Sequence, residues 1–369
     1  MPDRKTNQGD QLSPNLRLVA WEMTKRCNLL CAHCRADAED LGYENELSTQ
    51  EGFSLIDSVV AAGAKILILT GGEPLARPDV FELGSYAAKQ GIRVVLGTNG
   101  TLLTADVASA LKKIPISRVG VSIDFPGREQ QDEFRGKPGA FDEAVAGIEE
   151  CRRAGIEIQI NSTITKMNAP YLEDLLALAT DLGAVAFHPF MLVPTGRGKN
   201  LANVELPPEE YERILTWIFE KQSDPDNRLF FKPTDAPHYM RIARQRGKES
   251  GHSHGPHSAM DSATRGCLAG LGFCFVSHVG RVQGCGYLDV EAGNVRNGGF
   301  QRVWEESPLF QELRDLSKIK GKCGVCEYKR VCGGCRARAF EMTGDYLGPE
   351  PYCVYQPASK LGVAPEAGA

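Results

Sequence analysis

Between residues 16 and 222, six short apolar runs alternate with six helical segments, a rhythm that few topologies accommodate. The runs are Leu16–Met23, Lys65–Thr70, Ile92–Leu96, Arg118–Ile123, Ile156–Thr163 and Ala184–Leu192. As a set they are too apolar for strands with one wet face, so they read as strands covered on both sides. Helices follow them. Ser48 caps one through Ala62, with Glu51 three residues on as in a capping box. Pro78 opens one to about Gln90 and Thr104 opens another. Ala140–Ala154, Pro170–Leu182 and a segment from Pro207 to about Gln222 complete the series. Buried strands joined by helices imply a parallel α/β sheet with crossover connections. Such units close into a partial (β/α)6 barrel or lie open as a doubly wound sheet. In both, functional loops sit at the C-terminal ends of the strands.

The chain has 369 residues, room for one barrel plus an appendage. Its formal net charge of −5 is not the basic footprint of a nucleic-acid binder. No apolar run approaches the ~18 residues of a membrane span, so no membrane partner is expected. The polar start Met1-Pro2-Asp3-Arg4-Lys5 lacks the apolar stretch of a signal peptide, which predicts a cytoplasmic protein. Residues 1–14 are polar and predicted to be disordered, and residues 15–232 hold the strand–helix core. Residues 233–265 carry a helix over Thr234–Lys248 and a polar linker or lid over 249–265. Residues 266–357 are rich in cysteine, show little periodicity and are predicted to be held by something other than a large apolar core. Residues 358–369 read as a loose tail.

The chain has 12 cysteines. Disulfides are rare in a reducing compartment, so clustered thiols read as metal ligands. Cys151, alone on a helix among apolar neighbours, reads as an inert buried thiol. Cys27, Cys31 and Cys34 follow the first strand directly. A [4Fe-4S] cluster normally takes four thiolates, so three leave one iron open for chemistry. The alternative is a structural zinc site completed by His33 or a distant cysteine.

Cys-x3-Cys-x2-Cys after the first strand resembles the signature of the radical S-adenosylmethionine (SAM) family. That resemblance implies a partial barrel, a [4Fe-4S] cluster with an open iron, and SAM chelated there and split into methionine and a 5′-deoxyadenosyl radical. His33 stands where the family usually has an aromatic residue near the adenine. Gly71-Gly72-Glu73-Pro74, ending the second strand, matches the family's GGEP motif, which meets the amino group of SAM's methionine. The glycines let the backbone approach the ligand closely. Asn99, Ser122 and Asp124, at the ends of the third and fourth strands, match positions facing SAM's ribose and carboxylate.

The remaining thiols resemble the SPASM auxiliary-cluster domain. Cys267-x12-Gly280-x4-Cys285 matches its opening, and Cys323-x2-Cys326-x5-Cys332 with a final Cys353 continues it. Cys335 follows Cys332 after two residues where the family has three. The resemblance implies one or two auxiliary [4Fe-4S] clusters. One split gives Cys323, Cys326, Cys332 and Cys353 to one cluster and Cys267, Cys274, Cys285 and Cys335 to the other. A zinc ribbon is the alternative.

Ala186–Lys199, Asp235–Ile242, Thr264–Cys267 and Cys323–Tyr346 together resemble the SAM-dependent heme synthases of the siroheme-based pathway. That implies iron-coproporphyrin III as the small-molecule substrate, two propionates converted to vinyls, and a flavodoxin or ferredoxin as electron donor. Arg197, Lys199 and Arg265 are candidate propionate contacts. His188 and His238 are candidate neighbours of the porphyrin iron, and Gly251–His257 is a weak candidate metal chelator. Alternatives are a didecarboxysiroheme deacetylase, a heme d1-type enzyme, a peptide-modifying SPASM maturase, and a non-enzymatic Fe–S or zinc carrier.

Overall fold

A computed structural model of the chain describes residues 10–250 and 265–358. The six predicted strands are present as β1 (Leu18–Glu22), β2 (Ile66–Thr70), β3 (Arg93–Thr98), β4 (Arg118–Ser122), β5 (Glu157–Ile164) and β6 (Ala186–Met191). A short β7 (Phe230–Phe231) follows. Neighbours from β1 to β7 pair in parallel and in sequence order. A doubly wound sheet reverses its strand order at a switch point. This one never reverses, so it is a barrel, and its end strands do not pair, so the barrel is partial.

The helices through residue 250 are α1 (Thr49–Ala61), α2 (Val80–Lys89), α3 (Ala105–Lys113), α4 (Arg128–Arg135), α5 (Ala140–Arg153), α6 (Leu172–Asp181), α7 (Pro208–Ser223) and α8 (Tyr239–Ser250). The capping box is formed: Glu51 N donates to Ser48 Oγ at 3.3 Å, and Ser48 N to Glu51 Oε2 at 2.8 Å. On β5, Ile158, Ile160, Ser162 and Ile164 are buried, while Gln159, Asn161 and Thr163 on the opposite face are only half-buried. The strands thus bury one face and keep polar groups on the other. Among the described residues no helix is long and apolar enough to cross a membrane.

The C-terminal part departs from expectation. β8 (Phe273–Val276) pairs in parallel with β1, and β9 (Arg281–Gln283) and β10 (Glu291–Asn294) extend the same sheet antiparallel. The sheet therefore runs across the boundary read at residue 265. Helices α9 (Gly299–Glu306), α10 (Pro308–Arg314), α11 (Gly321–Gly324) and α12 (Arg336–Thr343) follow. The expected lack of an apolar core is corrected. Phe300, Trp304, Phe310 and Leu313 are buried in the same cluster as Trp21 and Leu67. Burying such a side chain contributes about 1.5–3 kcal/mol. Elements this short give little periodicity to read.

The disorder expected over 1–14 does not extend to residues 10–14. Leu12 N donates to Arg314 O at 2.8 Å, and Asp10 pairs with Lys329 at 3.2 Å. Residues 1–9, the His-rich run with most of the expected linker, and residues 359–369 lie outside the described residues. The helix expected from Thr234 begins at Tyr239, because Asp235 takes a left-handed conformation with φ 58°.

Candidate active site and auxiliary metal centres

The loop leaving β1 carries two buried thiols, Cys27 and Cys31, and the half-buried Cys34. Each sulfur accepts N–H donors, Cys27 among them from the Leu29 amide. Asn99 Nδ2, beyond β3, donates to Cys27 at 3.8 Å. The Arg135 guanidinium, ending α4, donates to Cys31 at 3.8 Å, and Ala38 N donates to Cys34 at 3.4 Å. Such donors favour thiolates. Burial opposes them, pushing Cys27 up to about 12 and Cys31 upward despite Arg135. Thiols biased this way ionise when a metal supplies the compensating charge. Among the described residues no three potential ligands close to the spacing of a single ion. A cubane instead offers separate irons to separate thiolates.

α4 latches this loop. Leu30 N donates to Arg135 O and Ala32 N to Phe134 O, at 3.2 and 2.9 Å. Gly136 ends the helix at φ 69°, and a Cβ there would stand 2.6 Å from Leu30 O. His33 stacks on Phe134 with centroids 4.5 Å apart and planes 12° from parallel. Its Nδ1 is buried without a partner, and burial lowers its pKa to about 4, so the ring is neutral. Sequence reading missed Phe134 and Arg135, because Arg-Glu-Gln-Gln-Asp-Glu-Phe-Arg has no apolar period. The available signal was the basic last turn followed by glycine.

Asp124 requires a correction. It is fully buried; Oδ1 accepts from Thr163 N at 2.7 Å, and Oδ2 pairs with Arg135. It holds the arginine that holds Cys31. Gly71 and Gly72 also have a different reason from the expected one. Cβ atoms there would meet Thr24 O at 2.5 Å and Arg26 O at 2.3 Å. The glycines admit the protein's own loop, which Gly72 N and Glu73 N then bond at 2.8 Å each.

Glu73 is fully buried and accepts from Thr98 Oγ1 and Asn99 N at 2.8 Å and from Leu75 N at 3.1 Å. Burial outweighs these donors and raises its pKa to about 7. Pro74 starts the 3-10 turn that presents Leu75 N. Asn99 also donates to Asn28 Oδ1 at 2.9 Å, so it ties the cysteine loop to β3. Ser122, Asn161 and His188 stand in one row across β4, β5 and β6. His188 therefore shares a strand face with Ser122. Its Nε2 is buried without a partner, and burial holds the ring neutral.

The other cationic candidates lie elsewhere than expected. Arg197 Nε donates to Cys31 O at 3.0 Å, and its guanidinium pairs with Asp37 at 2.8 Å, so it clamps the cysteine loop. Lys199 is an exposed side chain 3.9 Å from Glu341. Arg265 donates to the carbonyls of Lys329 and Arg330 at 2.6 and 2.7 Å, bracing the auxiliary region. His238, expected near a porphyrin, is fully buried in that same region.

The C-terminal thiols fall into two groups. Cys323, Cys326, Cys332 and Cys353 line one cavity, together with His238, Arg241, Lys322, Tyr328 and Glu350. Cys323 accepts from Glu350 N at 3.3 Å and Cys332 from Gly334 N at 3.4 Å. Cys335 caps α12 through Arg338 N at 3.4 Å, and Cys267 and Cys285 are its neighbours. Gly333 and Gly334, at φ 83° and 64°, turn the chain between Cys332 and Cys335. Cys274 is corrected: it sits on β8 opposite Val19, fully buried in the apolar core. Asp235, missed in the sequence, lies near Cys285 and Cys335 with Oδ2 buried and unpartnered.

Two networks join the regions. Glu22, on β1, bonds Arg35 at 2.5 Å and His278 at 2.6 Å. Burial pushes its carboxyl up, but Arg35 and His278 hold it at about 2. Tyr287 lies within electrostatic reach of Asp235, Arg35, Cys285 and Cys34. Arg338, fully buried, donates to Asp235 O at 2.9 Å and Leu192 O at 2.9 Å, facing Glu205 and Glu350 at 3.5 and 3.7 Å.

The model of the Radical SAM superfamily matches residues 21–182. The AdoMet-dependent heme synthase of Methanosarcina barkeri is 50% identical over 93% of this chain and 98% of that protein. The Fe-coproporphyrin III synthase of the same organism is 34% identical over 91% of this chain and 87% of that one. The structure of Streptococcus suis SuiB bound to S-adenosylmethionine superimposes with TM-score 0.74 at 17% identity, covering 95% of this chain and 80% of that one.

Proposed function

The chain belongs to the radical SAM superfamily, and on that footing we propose that it is a heme synthase acting on iron-coproporphyrin III. The observation that carries the reading is the margin between two same-organism relatives, the heme synthase being far more similar over nearly the whole chain. Fe–S cluster and SAM, when bound, supply a 5′-deoxyadenosyl radical as hydrogen-abstracting agent. Each propionate then loses one hydrogen atom from its β-carbon, CO2 and one electron, leaving a vinyl group.

Cys27, Cys31 and Cys34 hold the catalytic cluster. Glu73 has about four lone-pair sites and three donors, so one remains for SAM's ammonium. Asn99 and Ser122 contribute polar groups at neighbouring strand ends, and the His33–Phe134 stack offers an apolar wall to the adenine. His188, on the face of Ser122, is the candidate for the porphyrin side. Auxiliary [4Fe-4S] clusters held by the C-terminal thiols would accept the released electron. Cys323, Cys326, Cys332 and Cys353 form a complete ligand set, and Cys267, Cys285 and Cys335 provide three ligands of a second. A flavodoxin or ferredoxin supplies the initiating electron.

The test is anaerobic incubation with SAM, reductant and iron-coproporphyrin III. The expected product is protoheme, lighter by two CO2 and four hydrogens, two abstracted as atoms and two given up as carboxyl protons. Deacetylation of didecarboxysiroheme, with iron-coproporphyrin III untouched, would move the assignment one step earlier in the pathway.

A further inference from the structure

His238 is 0% exposed, and neither Nδ1 nor Nε2 has a hydrogen-bond partner. Leaving a buried polar group unpaired costs about 1–3 kcal/mol. A fold keeps such a residue where something absent from the bare chain will pair with it. The ring packs against Tyr211, centroids 5.0 Å apart, and lines the cavity shared by Cys323, Cys326, Cys332 and Cys353.

The neighbours narrow what the missing partner is. Arg241 and Lys322 line the cavity and Arg338 lies nearby, but all three are donors without lone pairs. They are already engaged: Arg241 by Glu212, Lys322 by the Cys353 carbonyl, and Arg338 by backbone carbonyls. Of the Glu350 oxygens, Oε2 accepts from Cys335 N and Oε1 from Tyr352 N. The four sulfurs are acceptors in the same cavity, and beside Glu350, which those two amides already hold, they are where an imidazole N–H finds a partner.

We propose that His238 is a positioning residue for the cluster in this cavity, donating a ring N–H to one of its sulfurs and so raising its reduction potential. This rests on the reading that the four thiols hold a [4Fe-4S] cluster. A donor aimed at sulfur stabilises the reduced cluster, which carries one more electron, over the oxidised one. The effect makes the centre a better acceptor for the electron that each decarboxylation releases.

The test uses the full-length, anaerobically reconstituted protein. His238→Leu removes the donor, and His238→Gln keeps a side-chain N–H. In redox titrations followed by electron paramagnetic resonance, His238→Leu is expected to shift one cluster's midpoint to more negative potential at unchanged iron and sulfide content. His238→Gln is expected to fall between it and the parent. In the parent carrying nitrogen-15 histidine, the same reduced cluster should show a weak nitrogen coupling, a readout independent of any variant's folding. An unmoved midpoint at full iron content, absence of that coupling, or loss of a cluster's iron on substitution would each overturn the proposal. Cys326→Ser, run in parallel, separates the failures. If it loses iron while His238→Leu keeps its potential, only the hydrogen bond is wrong; if it loses none, the cluster reading falls first.

Discussion

The two thiol-bearing regions satisfy their sulfurs in different ways. In the β1 loop, two of four donors are side chains brought from afar, Asn99 on Cys27 and Arg135 on Cys31, beside the amides of Leu29 and Ala38. In the C-terminal region the sulfur donors are backbone amides, those of Glu350, Gly334, Arg338, Tyr287, Tyr328 and Tyr355. Backbone donors are fixed once the chain is folded. Side-chain donors couple their sulfurs to whatever else those side chains touch. Asn99 also holds Asn28, and Arg135 also holds Asp124. The thiols of the β1 loop are thus wired to the chain beyond β3 and β4, while the C-terminal thiols are wired to their own loops.

The largest effect that could break this contrast is removal of a catalytic thiol. Cys31→Ala is expected to abolish 5′-deoxyadenosine formation and to remove one cluster's worth of iron, measured by chromatography and iron assay. Arg135→Met comes next. It strips the donor from Cys31 and strands the fully buried Asp124, a loss of about 3–5 kcal/mol in denaturant unfolding. SAM cleavage should fall with it even where the variant is folded. Preserved stability would show that Asp124 finds another partner. Asn99→Ala removes neutral hydrogen bonds and should cost only about 1–2 kcal/mol by the same measurement.

The pH dependence of SAM binding sharpens the contrast. Glu73 has a folded pKa of about 7, raised from 4.5. It is therefore ionised only above about 7, and affinity for SAM's ammonium should weaken as pH falls through that value, by up to about tenfold per unit. The sign reverses for the bare protein. This group's contribution to stability is fully present below 4.5 and is lost as pH rises to about 7. Titration calorimetry across pH 6–8 checks the first, and a flat profile in Glu73→Gln would support the assignment. The smallest effect belongs to Cys274→Ala. It should leave the iron content unchanged and cost about 1 kcal/mol, as for a small cavity in an apolar core. Loss of iron would restore it as a ligand.

Much of the barrel was legible because burial on both faces leaves apolar runs that punctuation separates. Ser48 and Glu51 announced α1 because a capping box is a local device. The cysteine loop was legible because its ligands lie within eight residues. What was missed depends on distance. Nothing in the sequence says that Arg135 reaches Asp124, so Asp124 was read as facing SAM. Arg197 was read as a substrate contact because its bond to the Cys31 carbonyl crosses 166 positions. Cys274 had the spacing of a ligand but the surroundings of a strand. Phe273-Cys274-Phe275-Val276, a turn at Gly280 and Arg281-Val282-Gln283 form a hairpin signal that metal-ligand spacing obscured.

The left-handed glycine pair at 333 and 334 sets how far apart two neighbouring thiols can lie. Cys332 and Cys335 are three peptide steps apart, so their Cα atoms can never separate by more than roughly 11 Å. If each thiol serves a different cluster, the gap between the clusters is covalently tethered. Breathing of the barrel, substrate entry or loosening of the surrounding helices can tilt the two centres, but none of these can pull them out of tunnelling range.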